Sequence, residues 1–454
     1  MKYLLYTYFQ TPFTIVYYNE LYTIIKGVFM DNETTDKEVK TSSVKKMLFA
    51  LILLILVLGI VFWDMSKGNG YIKQAFKNIK ENVTVANKTS DGSEKSISET
   101  QDDNISAVTK DDDENIIKFE SSSKSLFRIM DKGFIQCSKD GVKYYNDINN
   151  QKWNSTFTMV TPVMVGEGNY TAAADTSGKI VKVYDDNGEI YSCQIDGDII
   201  RISLNQNGYL VVLSYMNPDY RIQVFDNKGQ EITKREEKSE GVYPLDVDIS
   251  DDNRVMAVSY ADTSDVEVVG KILFFYTYKE DGKGYADAMF SAVQKDDEFI
   301  TEVEYMDGNK LICIGDRNIY AFDLWGNELW TKPITNKISF AKFSGKQKVV
   351  LAYGETHSNV EGEEAGTVEW INLSGRTEAK YSTGENINYM SVGKNAAIVG
   401  SYNKFTGISD QGKQLWEYKS PQDLSDMLFI NGNDTVMCVG KTSARIVTVK
   451  KDSK

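Results

Sequence analysis

The chain has 454 residues, 65 of them Asp or Glu against 51 Lys or Arg, and a net charge of −14 at pH 7. That balance excludes a protein built to hold nucleic acid, which needs a clustered basic face. One histidine excludes histidine-rich metal centres, and four widely spaced cysteines without a Cys-x-x-Cys exclude the usual zinc and redox motifs.

Residues 1–29 carry six tyrosines, three phenylalanines and only three charges. We expect translation to begin at Met30, with 1–29 an artefact of start-site assignment; a second membrane-associated segment is the alternative. Residues 1–46 then form an N-terminal tail.

Residues 47–63, from Met47 to Trp63, contain no charged or polar side chain. As a helix they span about 25 Å, slightly short for a bilayer core. Lys45 and Lys46 can snorkel at one end, and Trp63 anchors at the other. The sequence therefore predicts one retained transmembrane helix. Four lysines lie within 20 residues on each side, so charge counting is tied. The Lys45–Lys46 pair and the short tail favour an inside N-terminus and an extracytoplasmic C-terminal domain at the cell membrane.

Residues 64–114 follow as a basic juxtamembrane segment and an acidic linker. Ile72, Ala75, Phe76 and Ile79 share one helical face, with Lys73, Lys77 and Lys80 around it. This reads either as a basic helix on anionic lipid or as plain stalk. From residue 82 the composition turns to Ser, Thr, Asp, Asn and Lys, ending in Asp111-Asp112-Asp113-Glu114, a disordered spacer without calcium-loop spacing.

From 115 to 451 one turn keeps returning. It reads Asp185-Asp186-Asn187-Gly188, Asp226-Asn227-Lys228-Gly229 and Asp323-Leu324-Trp325-Gly326. Looser copies are Lys279-Glu280-Asp281-Gly282, Asn372-Leu373-Ser374-Gly375 and Ser409-Asp410-Gln411-Gly412. Each of the clear copies follows an apolar, β-rich run. The glycines fall 37 to 53 residues apart, the repeat length of a β-propeller blade. Four-strand units can be read from about 126, 160, 198, 244, 299, 337 and 386. An eighth, from 425, lacks its last strand. An orphan strand, Ile116 to Phe119, precedes the first unit and can close the ring while removing an exposed edge. The expected fold is an all-β, eight-bladed propeller, with seven blades as the alternative. Cys137, Cys193, Cys313 and Cys438 lie in apolar strand-like runs and are expected as buried thiols.

Several last strands carry a tryptophan after the turn: Trp330, Trp416 and Trp153. This pattern resembles the repeats of quinoprotein-like propellers (WD40-like and PQQ-like repeats), which implies an indole packed between blades. The stretch from Val255 to Tyr260 with Ile272 to Tyr276 resembles an uncharacterised Firmicutes family of membrane-anchored propellers. That resemblance implies no activity.

No catalytic motif emerges. Without adjacent cysteines, a bound quinone is not expected, nor any other cofactor. Ser409 to Trp416 has the wrong spacing for a sialidase box. His357 lies in the acidic, glycine-rich loop 354–366 with Glu361, and reads as a solvated loop histidine. One recurrence points to a partner. Strand B ends in a small residue plus tyrosine at Tyr215, Tyr260, Tyr353 and Tyr402, beneath B–C loops of which 261–270 and 354–367 are longest. These four tyrosines, His357 and Glu361 are the candidate contact residues; packing between blades is the other reading of the tyrosines. The expected function is a membrane-anchored, non-enzymatic scaffold that binds an envelope protein or wall polymer. The alternative is a propeller hydrolase with paired carboxylates. An enzyme should show two or three carboxylates converging in the channel, a scaffold a broad aromatic rim.

Overall fold

The computed structural model describes residues 116–120, 125–353 and 366–449. The expected tail, the apolar segment 47–63 and the expected linker through residue 115 lie outside them, as do residues 354–365. Among the described residues no helix is long and apolar enough to cross a membrane.

Strands form eight four-stranded antiparallel sheets, each a blade. Blade 8 takes three strands from the end of the chain, β30 (Asp426–Asn431), β31 (Thr435–Val439) and β32 (Ser443–Thr448), and its outermost strand from the beginning, β1 (Ile116–Lys118). Blade 1 runs from β2 (Leu126–Met130) to β5 (Asn150–Thr156), and blade 2 from β6 (Pro162–Glu167) to β9 (Gly188–Gln194). Blade 3 runs from β10 (Asp198–Leu204) to β13 (Glu231–Glu237), and blade 4 from β14 (Val242–Ile249) to β17 (Met289–Asp296). Blade 5 runs from β18 (Ile300–Met306) to β21 (Glu328–Pro333), blade 6 from β22 (Ile338–Ser344) to β25 (Thr377–Ser382), and blade 7 from β26 (Tyr389–Val392) to β29 (Gln414–Lys419). The count is eight, and the orphan strand closes the ring: Ile116, Ile117 and Lys118 pair with Arg445, Ala444 and Ser443.

The second strand of each blade is buried on both faces, so it reads as a continuous apolar run. In β11 (Leu210–Tyr215), Leu210 to Leu213 are fully buried. The core is therefore a ring of inter-blade layers. One of them sets Phe274 and Val255 of blade 4 against Tyr305 and Leu311 of blade 5.

The recurring turn has a common construction in four blades. Asp226 Oδ1 accepts the main-chain N–H of Lys228 and of Gln230, both at 2.9 Å. Asp323 does the same for Trp325 and Asn327, and Asn372 for Ser374 and Arg376; Ser409 Oγ accepts from Lys413. The glycine closes the turn with positive φ, +77° at Gly229 and +82° at Gly326, and a bulge follows. Two copies differ. Asp185 pairs directly with Gly188 across a two-residue hairpin loop. Lys279 to Gly282 lie inside a longer connection, 277–288, between β16 (Val269–Tyr276) and β17. The B–C loop of blade 4 is shorter than expected, 263–268, because β15 (Val255–Asp262) and β16 continue their pairing outward through Asp262 and Val269.

Candidate functional site

Strand order defines two faces. The B–C and D–A connections lie on one, the A–B and C–D connections on the other. Innermost strands line the central channel.

The candidate tyrosines do not form one rim. Tyr260 and Tyr353 are 3% and 5% exposed, packed among strand residues; Tyr353 Oη donates to Glu369 Oε2 at 2.5 Å. Tyr215 is half-buried, donates to Asn217 Oδ1 at 3.1 Å and leans on Tyr220. Tyr402 is 88% exposed. Its φ of +55° places a non-glycine residue in the left-handed region, at a cost of roughly 1–2 kcal/mol. His357 and Glu361 lie outside the described residues.

Beside Tyr402 on the B–C face, a polar cleft opens between blades 6 and 7. It is a small recess, open to solvent on one side. Tyr381 forms one wall, Ile387 and Val399 the floor, and Lys404 with Glu385 and Glu417 the polar side. Lys404 Nζ stands 3.2 Å from each carboxylate. Burial opposes the Lys404 charge, but Glu385 and Glu417 outweigh it, and its pKa rises. Thr383 Oγ1 accepts the Glu385 N–H at 3.2 Å and fixes the approach to β26.

The channel carries a second cluster. Asp246 and Asp248 lie two residues apart on β14, and Glu302 and Glu304 two residues apart on β18, so each pair shares a face. Asp246 Oδ2 accepts the Val303 N–H at 3.0 Å, and Asp248 Oδ2 the Tyr305 N–H at 2.6 Å. The free inner edge of blade 5 is thus bonded to side chains of blade 4. Ser203 of blade 3 donates to Asp248 Oδ1, and Arg201 Nε lies 3.9 Å from Asp246 Oδ1. Burial pushes Asp246 up to about 6, against the pull of Arg201 and the Val303 N–H. Burial and the charge of Asp246 raise Glu302; burial and Asp248 raise Glu304. Lys342 of blade 6 is lowered by burial.

On the A–B face the turns of four blades are tied together. Asn207 Nδ2 donates to the Asp251 carbonyl at 2.6 Å, the Asp251 N–H to Asn309 Oδ1 at 3.0 Å, and Lys346 Nζ meets Asp251 Oδ1 at 3.1 Å. Burial works against the Lys346 charge, but Asp248, Glu167, Asp251 and Glu304 outweigh it and raise its pKa.

The four cysteines are free and buried. Burial pushes Cys137, Cys193 and Cys438 up to about 12 and Cys313 well above its usual value, so none is poised as a thiolate. Among the described residues no group of three or more His, Cys, Asp or Glu could hold a metal ion.

No curated protein matches the sequence. Among solved structures, BamB from Moraxella catarrhalis is similar over 76% of this chain and 99% of its own, at 13% identity and a TM-score of 0.44. Hsv2 from Kluyveromyces lactis is similar over 66% of this chain and 100% of its own, at 12% identity and a TM-score of 0.41. A eukaryotic initiation factor is similar over 68% of this chain and 88% of its own, at 11% identity and a TM-score of 0.43. Residues 104–449 match the model of a family of unknown function, DUF5711, and the chain belongs to that family.

Proposed function

We propose that this chain is a single-pass membrane protein that displays its propeller outside the cell as a non-enzymatic scaffold, binding an envelope partner through the B–C face of blades 6 and 7. The observation that carries this reading is Tyr402, an 88% exposed ring held in a left-handed turn beside a polar cleft. A strained, solvent-exposed aromatic contributes nothing to the core, and such residues gather where a ligand is met. The apolar segment 47–63 and the spacer through 114 support the anchor. Protease shaving of intact cells tests the topology: cleavage within 82–114 should release the propeller. Full protection that disappears on lysis would place it in the cytosol and sink this localisation.

One observation favours a second reading. Asp246, Asp248, Glu302 and Glu304 converge in the channel, as expected of a carboxylate hydrolase, and the raised pKa of Glu302 suits a general acid. Against it, Asp246 and Asp248 are occupied by main-chain N–H groups of the next blade. Hydrolysis of chromogenic glycosides by the wild type, and not by Glu302→Gln/Glu304→Gln, would move the assignment to this reading.

A further inference from the structure

We propose that the cleft between blades 6 and 7 is a saccharide-binding site, with Tyr402 and Tyr381 supplying ring faces and Glu385, Glu417 and Lys404 the hydroxyl partners. The inference rests on the scaffold reading and gives it a ligand class.

Tyr381 is half-buried, with its hydroxyl donating to Gln414 Oε1 at 2.9 Å. That bond fixes the ring as a wall and leaves the hydroxyl occupied. Tyr402 lies in the turn between the paired Ser401 and Lys404, both of which line the cleft. A pyranose has an apolar C–H face and a hydroxyl edge. The tyrosine rings can take the first, since rigid amphipathic rings give contact area at low entropic cost. Glu385 and Glu417 take the second as acceptors, with Lys404 and Asn386 as donors.

An apolar anchor from a protein fits less well. It would strip water from Lys404 and both carboxylates and return no hydrogen bond, the costly way to bury an ion pair. A hydroxyl-rich ring replaces that water bond for bond. A cationic peptide would compete with Lys404, which already stands between the two carboxylates at 3.2 Å from each.

The test uses the full-length protein in nanodiscs and two neutral probes, the β-1,4-linked tetramers of N-acetylglucosamine and of glucose. Saturation-transfer NMR and titration calorimetry should detect at least one of them. Tyr402→Ala and Glu417→Gln should each weaken binding about tenfold or more, roughly the loss of one good contact. Tyr402→Phe should keep it, because the ring face is retained. Tyr402 is exposed, so its loss does not reflect misfolding, and the thermal melt of Glu417→Gln checks that variant's fold. No binding of either tetramer, or equal binding by the Tyr402→Ala/Glu417→Gln double variant, overturns the proposal. Photo-crosslinking from position 402 in intact cells separates this from the parent reading. Protein capture with no saccharide binding defeats the saccharide site and keeps the scaffold; neither signal defeats both.

Discussion

The Trp330 indole Nε1–H donates to the Leu373 main-chain carbonyl at 3.0 Å, a bond from the last strand of blade 5 to the recurring turn of blade 6. Trp153 makes the same kind of bond from blade 1 to Asp186 of blade 2, and Trp416 from blade 7 to Asn433 of blade 8. The recurring tryptophan is thus an inter-blade hydrogen-bond donor as well as an apolar filler. It also explains one glycine: a Cβ on Gly375 would lie 2.8 Å from the Trp330 ring.

Trp330→Phe should therefore cost about 0.5–1.5 kcal/mol, the usual value of a lost hydrogen bond. Gly375→Ala should cost at least as much, since it adds an L side chain at φ +77° to the clash. Urea titrations of both variants give the values. A Gly375→Ala protein as stable as the wild type would show that the indole shifts freely.

Asp248 is the second test of how the ring is held. Asp248→Ala removes the acceptor for the Tyr305 N–H and for Ser203, leaving a buried donor unpaired. About 1–3 kcal/mol should be lost. Asp248→Asn keeps one carbonyl oxygen and should lose less. Equal loss for both would mean that charge, and not the acceptor, carries the bond.

The propeller was legible because its signal is repeated and local. An Asx-type side chain and a glycine at fixed spacing specify the turn in blades 3, 5 and 6 without help from the rest of the fold. The closing strand was legible because Ile116 to Phe119 had no other partner. The channel carboxylates were not. Leu245-Asp246-Val247-Asp248-Ile249 and Thr301-Glu302-Val303-Glu304-Tyr305 alternate as any half-exposed strand does, and only ring closure turns that polar face into a channel wall. Acidic residues at alternate positions in the first strand of two consecutive blades were the available signal. The tyrosine pattern mixed positions: Tyr260 lies two residues inside the end of β15, Tyr402 just beyond the end of β27 (Ala396–Ser401).

The channel makes stability depend on pH. Folded-state pKa values of Glu302, Glu304 and Asp246 are raised. Their contribution is therefore greatest below the unfolded carboxylate values near 4 and is lost as pH rises through the folded values, about 6 for Asp246 and about 7 for Glu302. Lys342, lowered by burial, stays protonated in both states over most of that window and acts mainly above it, with the opposite sign. Glu302→Gln should thus gain on the wild type between pH 5 and 7, by about 1–2 kcal/mol. Paired denaturation curves at the two pH values measure the difference. A difference that does not change with pH would show that Glu302 ionises in the channel as it does in water.

The closing strand is short, so its energy must come from packing. Only three residues of β1 pair with β32, but Ile117 is 8% exposed and sits among Phe127, Phe134, Val439 and Ala444, at the seam where blade 8 meets blade 1. A further main-chain bond, Phe119 N–H to the Thr442 carbonyl at 2.8 Å, extends the attachment. Ile117→Ala removes the seam's one side chain from that strand in the core and should cost about 2–4 kcal/mol, within the range for a buried isoleucine. Ile116→Ala, at the half-buried end of the same strand, should cost less. The loss should also be local in its first effect: blade 8 should loosen before the rest, because each blade rests only on its neighbours. Hydrogen exchange of Ile117→Ala should then show early exchange in 435–448 with blades 3 to 5 still protected. Uniform exchange around the ring would mean that the propeller opens as one unit and that its closure is not its weak point.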